Sequence, residues 1–227
     1  MRKDRTSSVG KQGDRGAAGA RSSRRRVVAG LGGAAVGLVL PAILPSGAIA
    51  AQRCVKLNQA VRRCQAGIYS NVISISARPQ YRTQWCWAAC IAMMFHYFKH
   101  PVQQDRIVRE TFGSIVNWPA TPKTILSALN RTWRDDNGKP FTARGLALAV
   151  NPVIASRLLS RDIPMIVGSV GHATLLTAME WTENAAGRYV INGIVVRDPW
   201  YGGRARRYSG REAQLAHFLA TVRVRSL

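Results

Sequence analysis

One cysteine of this chain occupies a position where a thiol can act as a nucleophile. Cys86 begins the stretch CWAACIAMMFHYF, which is apolar on nearly every face and is therefore predicted to form a buried helix that ends before Pro101. The first turn of a helix has unpaired backbone amides and the positive end of the helix dipole, and both stabilise a negative charge. A thiolate there would have a lowered pKa and would be the attacking species at neutral pH. The alternative is a cysteine that only packs in the core.

A nucleophilic thiol needs a base, and His172 is the best placed of the four histidines. It begins the apolar, strand-like run HATLLTAM between Gly171 and Ala173, which leave room for a substrate to approach. Asp198 follows the next strand-like run, YVINGIVVR, and a hairpin between the two runs would bring its carboxylate to the imidazole. A surface histidine at a strand end and an Asp-Pro turn are the alternatives for these two residues.

Four short motifs, in this order along the chain, resemble those of the papain-like cysteine peptidases. They are Gln80 six residues before the cysteine, Cys86-Trp87-Ala88, Gly171-His172-Ala173 and Asp198-Pro199-Trp200. The resemblance is strongest to a bacterial branch of secreted and effector-type enzymes and to leader-peptide-cleaving relatives, and it covers about residues 78–210. The ordered set is what makes the resemblance specific.

This resemblance implies an ion pair between the Cys86 thiolate and the His172 imidazolium, which attacks an amide carbonyl and forms a thioester acyl-enzyme. Asp198 would orient the imidazole ring. The side chain of Gln80 would bind the oxyanion together with the Cys86 backbone amide, and Gln84 is a competing donor. No cofactor is implied.

Trp87 and Trp200 are the supporting residues that the resemblance implies. Trp200 would shield the hydrogen bond between the histidine and the aspartate from water, and plain core packing is its alternative. The chain departs from papain in having Asp198 where papain-type enzymes often have Asn, and a negative partner raises the pKa of an imidazolium further. It also has only Ala51 to about Arg78 in place of a long pro-region.

The remaining cysteines are predicted to be structural. Cys54 and Cys64, ten residues apart in an exported chain, are the natural disulfide pair, although other pairings such as Cys54 with Cys90 remain open. Cys90 lies one helical turn after Cys86, where nearly parallel side chains disfavour a bridge, and it is predicted to be a buried thiol. A metal site formed by Cys86, Cys90 and His96 would not have a usual zinc spacing, so no metal site is predicted.

Helical patterns precede strand patterns along the chain. Helices are predicted at 86–98, 102–112, 122–132, 152–160 and near 212–219, and strands at 71–76, 164–170, 172–181, 189–197, after 203 and at 221–225. This order favours an α+β, papain-like fold in which the buried central helix, starting at the nucleophile, packs on an antiparallel β-sheet.

The first 50 residues are predicted to be a signal peptide. Arg24-Arg25-Arg26 precede an apolar run, and Ala48-Ile49-Ala50 is a small-x-small cleavage site. The paired arginines are similar to a twin-arginine signal, which exports folded proteins. An uncleaved membrane anchor is the alternative. Cleavage would leave no permanent membrane span and would place the protein in the periplasm or outside the cell.

The predicted domains are the signal peptide at 1–50, a short N-terminal segment at 51–78 with the cysteine pair, and the catalytic domain at 79–227. The formal net charge is +22, and the first 50 residues hold nine Lys/Arg and two Asp/Glu, which leaves +15 for the remainder. Such a charge favours anionic partners, for example an anionic envelope surface. The arginines are scattered and form no basic stripe, so no specific nucleic-acid partner is expected.

The expected function is a secreted cysteine peptidase, a monomer that acts on a peptide or protein substrate. Two alternatives remain open. One is an amidase or acyl transferase that uses the same triad on cell-wall or protein amides, and the other is a non-catalytic basic binding module with the same fold.

Overall fold

The computed structural model describes residues 52–227, and the predicted signal peptide lies outside these residues. The helices are α1 (Ser70–Ile75), α2 (Cys86–Tyr97), α3 (Gln104–Phe112), α4 (Pro122–Leu129), α5 (Pro152–Leu159) and α6 (Gly210–Gln214), with a short 3-10 helix at Pro199–Tyr201. The strands are β1 (Arg53–Lys56), β2 (Val61–Gly67), β3 (Arg131–Arg134), β4 (Pro140–Leu148), β5 (Met165–Ser169), β6 (His172–Asn184), β7 (Tyr189–Asp198), β8 (Arg204–Arg207) and β9 (Ala216–Ser226). Among the described helices, none is long and apolar enough to cross a membrane.

The described strands form one antiparallel sheet of nine, with the main order β1-β2-β6-β5-β9-β4-β3. The long strand β6 is its centre, because its first half pairs with β5, its second half pairs with β2, and β7 pairs along its other edge. Strand β8 then pairs with β7. Since β6 and β7 are antiparallel, the first residue of β6 and the last residue of β7 lie at the same end of the sheet.

Helix α2 is the buried central helix. Every residue from Trp87 to Phe95 is buried, as expected for a helix without a polar face. Phe95 packs edge-to-face against Trp133 and Phe141, with ring centroids 5.5 and 5.1 Å apart. The helix contacts β6, and the predicted α+β class, with a central helix that starts at Cys86 and an antiparallel sheet, is confirmed.

Two helix starts were predictable from a polar side chain followed by proline. Helix α4 begins at Pro122, where the Thr121 hydroxyl accepts a hydrogen bond from the amide three residues later (3.2 Å). Helix α5 begins at Pro152, where the Asn151 side chain accepts from the amide two residues later (2.8 Å). These side chains satisfy amides that the start of a helix leaves without a backbone partner.

Several local predictions are wrong. The strand predicted at 71–76 is helix α1, because a run of six residues is too short to separate a period of two from one of 3.6. Strands β3 and β4 were not predicted. The helix predicted at 122–132 ends at Leu129, because the chain from Arg131 onward forms β3. The helix expected near 212–219 ends at Gln214, because the residues from 216 onward pair with β5 and β4.

Part of the short N-terminal segment predicted at 51–78 belongs to the sheet, as strands β1 and β2. Strands β1 and β2 form a hairpin, and β2 pairs with the second half of β6. Cys54 lies opposite Cys64 in this hairpin, and a disulfide joins them. The Cys64 side chain is fully buried.

Candidate active site

The Cys86 thiol is free and half-buried at the first residue of α2. Burial alone would raise the pKa of this thiol, but a hydrogen bond with His172, the backbone N–H groups of Ala173 and Trp87, and the charge of His172 lower it below the usual value. One of these amides belongs to the first turn of the helix and the other to β6. Helix and sheet therefore both stabilise the thiolate.

His172 is the first residue of β6 and follows the two-residue turn Val170-Gly171, in which both φ angles are positive, 52° and 71°. This left-handed backbone is typical of tight hairpins and explains the glycine before the histidine. The imidazole Nε2 lies 2.7 Å from Asp198 Oδ1, so Nδ1 is the ring nitrogen left for Cys86. Burial would lower the pKa of His172, but the hydrogen bonds with Asp198 and Cys86 raise it to about 9.

Asp198 ends β7, and its side chain is only 1% exposed. Besides His172, its Oδ1 accepts from the backbone N–H of Trp200 (2.9 Å), and its Oδ2 accepts from Arg206 Nε (2.6 Å). Burial would raise the pKa of this carboxyl, but the hydrogen bonds from His172 and Arg206 lower it. A buried carboxylate is stable only with such donors, and here each oxygen has at least one.

Arg206 was missed by the sequence analysis. It lies on β8, which pairs with β7 so that Asp198 is opposite Arg204. Alternate residues of a strand point to the same face, so Arg206 shares the face of Arg204. The run RARR contains three arginines, and only the register of the two strands singles out the one that reaches the carboxylate.

The start of α2 is anchored by two indole groups. Trp85 Nε1 donates to the carbonyl of Val116 (2.7 Å), and Trp87 Nε1 donates to the carbonyl of Trp118 (3.2 Å). Both indoles are buried, at 2% and 1% exposure, so these bonds are shielded from water. They join the first turn of α2 to the segment between α3 and α4 and thereby fix the position of Cys86.

Gln80, the predicted oxyanion donor, lies next to the 3-10 helix, since its backbone N–H donates to the carbonyl of Pro199 (3.0 Å). Its side-chain amide donates to the carbonyls of Arg82 (2.9 Å) and Thr83 (3.0 Å). Its Oε1 is buried and has no hydrogen-bond partner among the described residues. Both amide hydrogens are thus engaged, and one would have to turn toward Cys86 to bind an oxyanion there.

The other predicted supporting residues differ in exposure. Trp87 is buried and packs edge-to-face on Phe112, with ring centroids 5.7 Å apart. Trp200 directly follows the Asp-Pro pair and is 58% exposed. Gln84 is exposed, and its backbone N–H donates to the side chain of Asn117 (3.0 Å).

Cys90 lies one turn along α2 and is fully buried. Burial raises the pKa of its thiol, and the negative charges of Cys86 and Asp198 raise it further. A neutral, inaccessible thiol is neither a nucleophile nor a competitor for His172. His100 belongs to a different cluster, in which its ring contacts Asp135 (3.0 Å) and Ser226 (2.9 Å).

Comparisons with known proteins give a distant structural likeness only. No family model matches the sequence, and no curated protein matches it. Fourteen chains of solved structures match the fold. One is the crystal structure of a double glycine motif protease from an AMS/PCAT transporter in complex with the leader peptide. It is 18% identical, covers 66% of this chain and 91% of that chain, and has a TM-score of 0.40. At that distance the activity of this chain must be inferred from its own site.

Proposed function

We propose that this protein is a cysteine peptidase with Cys86 as nucleophile, His172 as general base and Asp198 as the residue that orients the base. The observation behind this proposal is the position of His172, whose Nε2 lies 2.7 Å from Oδ1 of the buried Asp198 and whose ring lowers the pKa of the thiol at the start of the central helix. The pKa of Cys86 is lowered and that of His172 is raised to about 9, and both shifts favour a thiolate–imidazolium pair.

In the proposed reaction, the Cys86 thiolate attacks the carbonyl carbon of a peptide bond and the carbonyl oxygen becomes an oxyanion. The Cys86 amide and the Gln80 side chain stabilise that charge. The C–N bond then breaks, His172 Nδ1 gives its proton to the leaving amine, and a thioester remains. A water molecule gives a proton back to His172 and attacks the thioester, which releases the acid and restores the thiolate.

The burial of charged groups at this site argues against a non-catalytic role. Ionised groups lose hydration when they are buried, and this cost is recovered only with well-placed partners. The Asp198 side chain is almost completely buried, yet the partly exposed His172 is held between it and Cys86. An ion pair that ends in a partly accessible thiolate is what nucleophilic catalysis requires.

Alkylation of Cys86 by iodoacetamide tests the activated thiol. We expect the native protein to react at Cys86 much faster than the urea-denatured protein at pH 6 to 7, as read by mass spectrometry of tryptic peptides. The His172→Ala variant should lose this advantage, whereas His217→Ala, which removes an exposed histidine, should keep it. Equal rates in native and denatured protein would contradict the proposal.

The kind of amide that is cleaved needs a second measurement. Incubation with a peptide library should give cleavage products that disappear in Cys86→Ala and remain in Cys90→Ala. Release of peptidoglycan fragments without peptide cleavage would instead assign the thiol to an amidase. The effector-type branch of the superfamily stays a prediction from the sequence motifs.

We also propose export with cleavage after Ala50, which the sequence of residues 1–50 supports. N-terminal sequencing of the protein recovered from the periplasm or the culture medium should begin at Ala51. Recovery only from the cytoplasm with an intact N-terminus would contradict this.

A further inference from the structure

The hydrogen bonds of the candidate site extend beyond Cys86, His172 and Asp198. From Asp198 they continue through Arg206 to Glu212. The last two residues have no place in the proposed chemistry, since neither touches the thiol. Their arrangement is nevertheless as well defined as that of the triad.

Arg206 binds two carboxylates with different edges of its guanidinium. Its Nε donates to Asp198 Oδ2 (2.6 Å), and its two terminal nitrogens donate to Glu212 Oε1 (2.6 Å) and Oε2 (3.0 Å). The guanidinium also lies over the rings of Tyr208 (5.2 Å) and Tyr201 (5.8 Å). A bidentate pair and two aromatic faces restrict the orientation of the fork in a way that a single ion pair does not.

Glu212 connects this arginine to the hairpin that bears the histidine. Its side chain completes a capping box with Ser209 at the start of α6. Its backbone carbonyl accepts a hydrogen bond from the hydroxyl of Ser169 (2.6 Å). Ser169 is the last residue of β5 and pairs directly with His172 across the turn. Glu212 therefore binds both Arg206, the partner of Asp198, and β5, the strand that pairs with His172.

Arg206 affects the pKa of His172 in two opposite ways, through its positive charge and through the hydrogen bond that it donates to Asp198. As a nearby cation, Arg206 disfavours a second positive charge on the imidazole. As a donor to Oδ2, it keeps the carboxylate turned so that Oδ1 faces the imidazole. Hydrogen bonds from Arg206 hold the pKa of Glu212 at about 2, so this carboxylate is ionised and offsets the charge of the arginine. The geometric effect is then left as the main one.

We propose that Arg206 and Glu212 are positioning residues, which orient the Asp198 carboxylate and hold it in register with the His172 hairpin. This inference rests on the proposed function. It assigns to β8 and α6 a role in setting the protonation of the thiolate–imidazolium pair without contact with substrate.

The test uses the variants Arg206→Gln and Glu212→Gln in the full chain, with Arg207→Gln as the matched control. Arg207 is the next residue, and its guanidinium donates hydrogen bonds to the half-exposed Glu180. The readouts are the alkylation rate of Cys86 at pH 7 and the titration of His172 by NMR of the imidazole protons, assigned with His172→Ala. Circular dichroism shows whether each variant is folded.

We expect Arg206→Gln and Glu212→Gln to lower the pKa of His172 by about one unit, which is a tenfold change in its protonation equilibrium, and to slow alkylation of Cys86. Arg207→Gln should change neither the alkylation rate nor the pKa of His172.

A rise in the pKa of His172 in Arg206→Gln would show that only the charge of the arginine matters, and this result would overturn the inference. An unchanged titration of His172 in a folded variant would also overturn it. Arg206→Lys covers the case in which Arg206→Gln does not fold, because it retains the charge without the fork and should show the same losses. Failure of the proposed function is distinct, since the unmodified protein would then show no accelerated alkylation.

Discussion

His172 and Asp198 are 26 residues apart in the chain, yet His172 Nε2 and Asp198 Oδ1 are separated by 2.7 Å. The reason is the pairing of two antiparallel strands, which brings the start of β6 and the end of β7 to one end of the sheet. The same end of the sheet contacts the first turn of α2, where the Ala173 amide and the His172 ring face Cys86. This strand pairing is what brings the imidazole and the carboxylate of the site together.

The two free cysteines should differ sharply in reactivity. Iodoacetamide should alkylate Cys86 and leave Cys90 unmodified in the folded protein, because Cys90 is fully buried and burial raises the pKa of its thiol. Peptide mass spectrometry after a short exposure at pH 7 separates the two. Modification of Cys90 at a comparable rate in the native state would mean that the helix is not packed as described.

Removal of the Asp198 charge should shift two titrations in opposite directions. In Asp198→Asn the imidazolium loses its main partner, so the pKa of His172 should fall from about 9 toward its ordinary value of 6.5. The Cys86 thiolate then loses its cation, and its pKa should rise toward 9.0. NMR of the imidazole protons and the pH dependence of alkylation measure these shifts. A variant that titrates like the unmodified protein would exclude Asp198 from the pair.

The role of Gln80 can be distinguished from that of the triad by comparing two reactions of the Cys86 thiol. Alkylation passes through no oxyanion, whereas amide hydrolysis does, so Gln80→Ala should slow hydrolysis about a hundredfold and leave alkylation unchanged. Gln84→Ala is the matched control and should affect neither reaction. Hydrolysis that depends on Gln84 and not on Gln80 would assign the oxyanion donor to the residue nearer to Cys86.

The disulfide should contribute to stability without contributing to the site. Cys54→Ser removes a link that closes a loop with a sequence separation of 10, and it should lower the free energy of unfolding by about 2 to 3 kcal/mol. Urea denaturation measures the loss, and the unmodified protein with reductant should unfold like the variant. The alkylation rate of Cys86 in the folded variant should not change, because Cys64 pairs with Trp181, nine residues along β6 from His172. Equal stability with and without the disulfide would contradict the expected role.

Sequence patterns were reliable where the cause is local. Thr121 and Asn151 cap helices at the predicted residues, because a side-chain acceptor and a proline act within one turn. The long apolar run after Cys86 forms the central helix, because a segment without a polar side has to be buried. Local patterns failed in the segment 71–76 and in β3 and β4, where neighbouring strands decide whether a short segment extends the sheet.

The sequence by itself determined the order of the chemical groups, the helix that begins at Cys86, the strand that begins at His172 and the strand that Asp198 follows. Only the tertiary structure decided which side chains surround them. It placed Arg206 on Asp198 and turned the Gln80 amide toward two backbone carbonyls. It also joined the N-terminal hairpin to β6. Each of these contacts depends on the register of strands or on the approach of distant loops, and such contacts are set by packing across the whole sheet and not by the residues on either side in the chain.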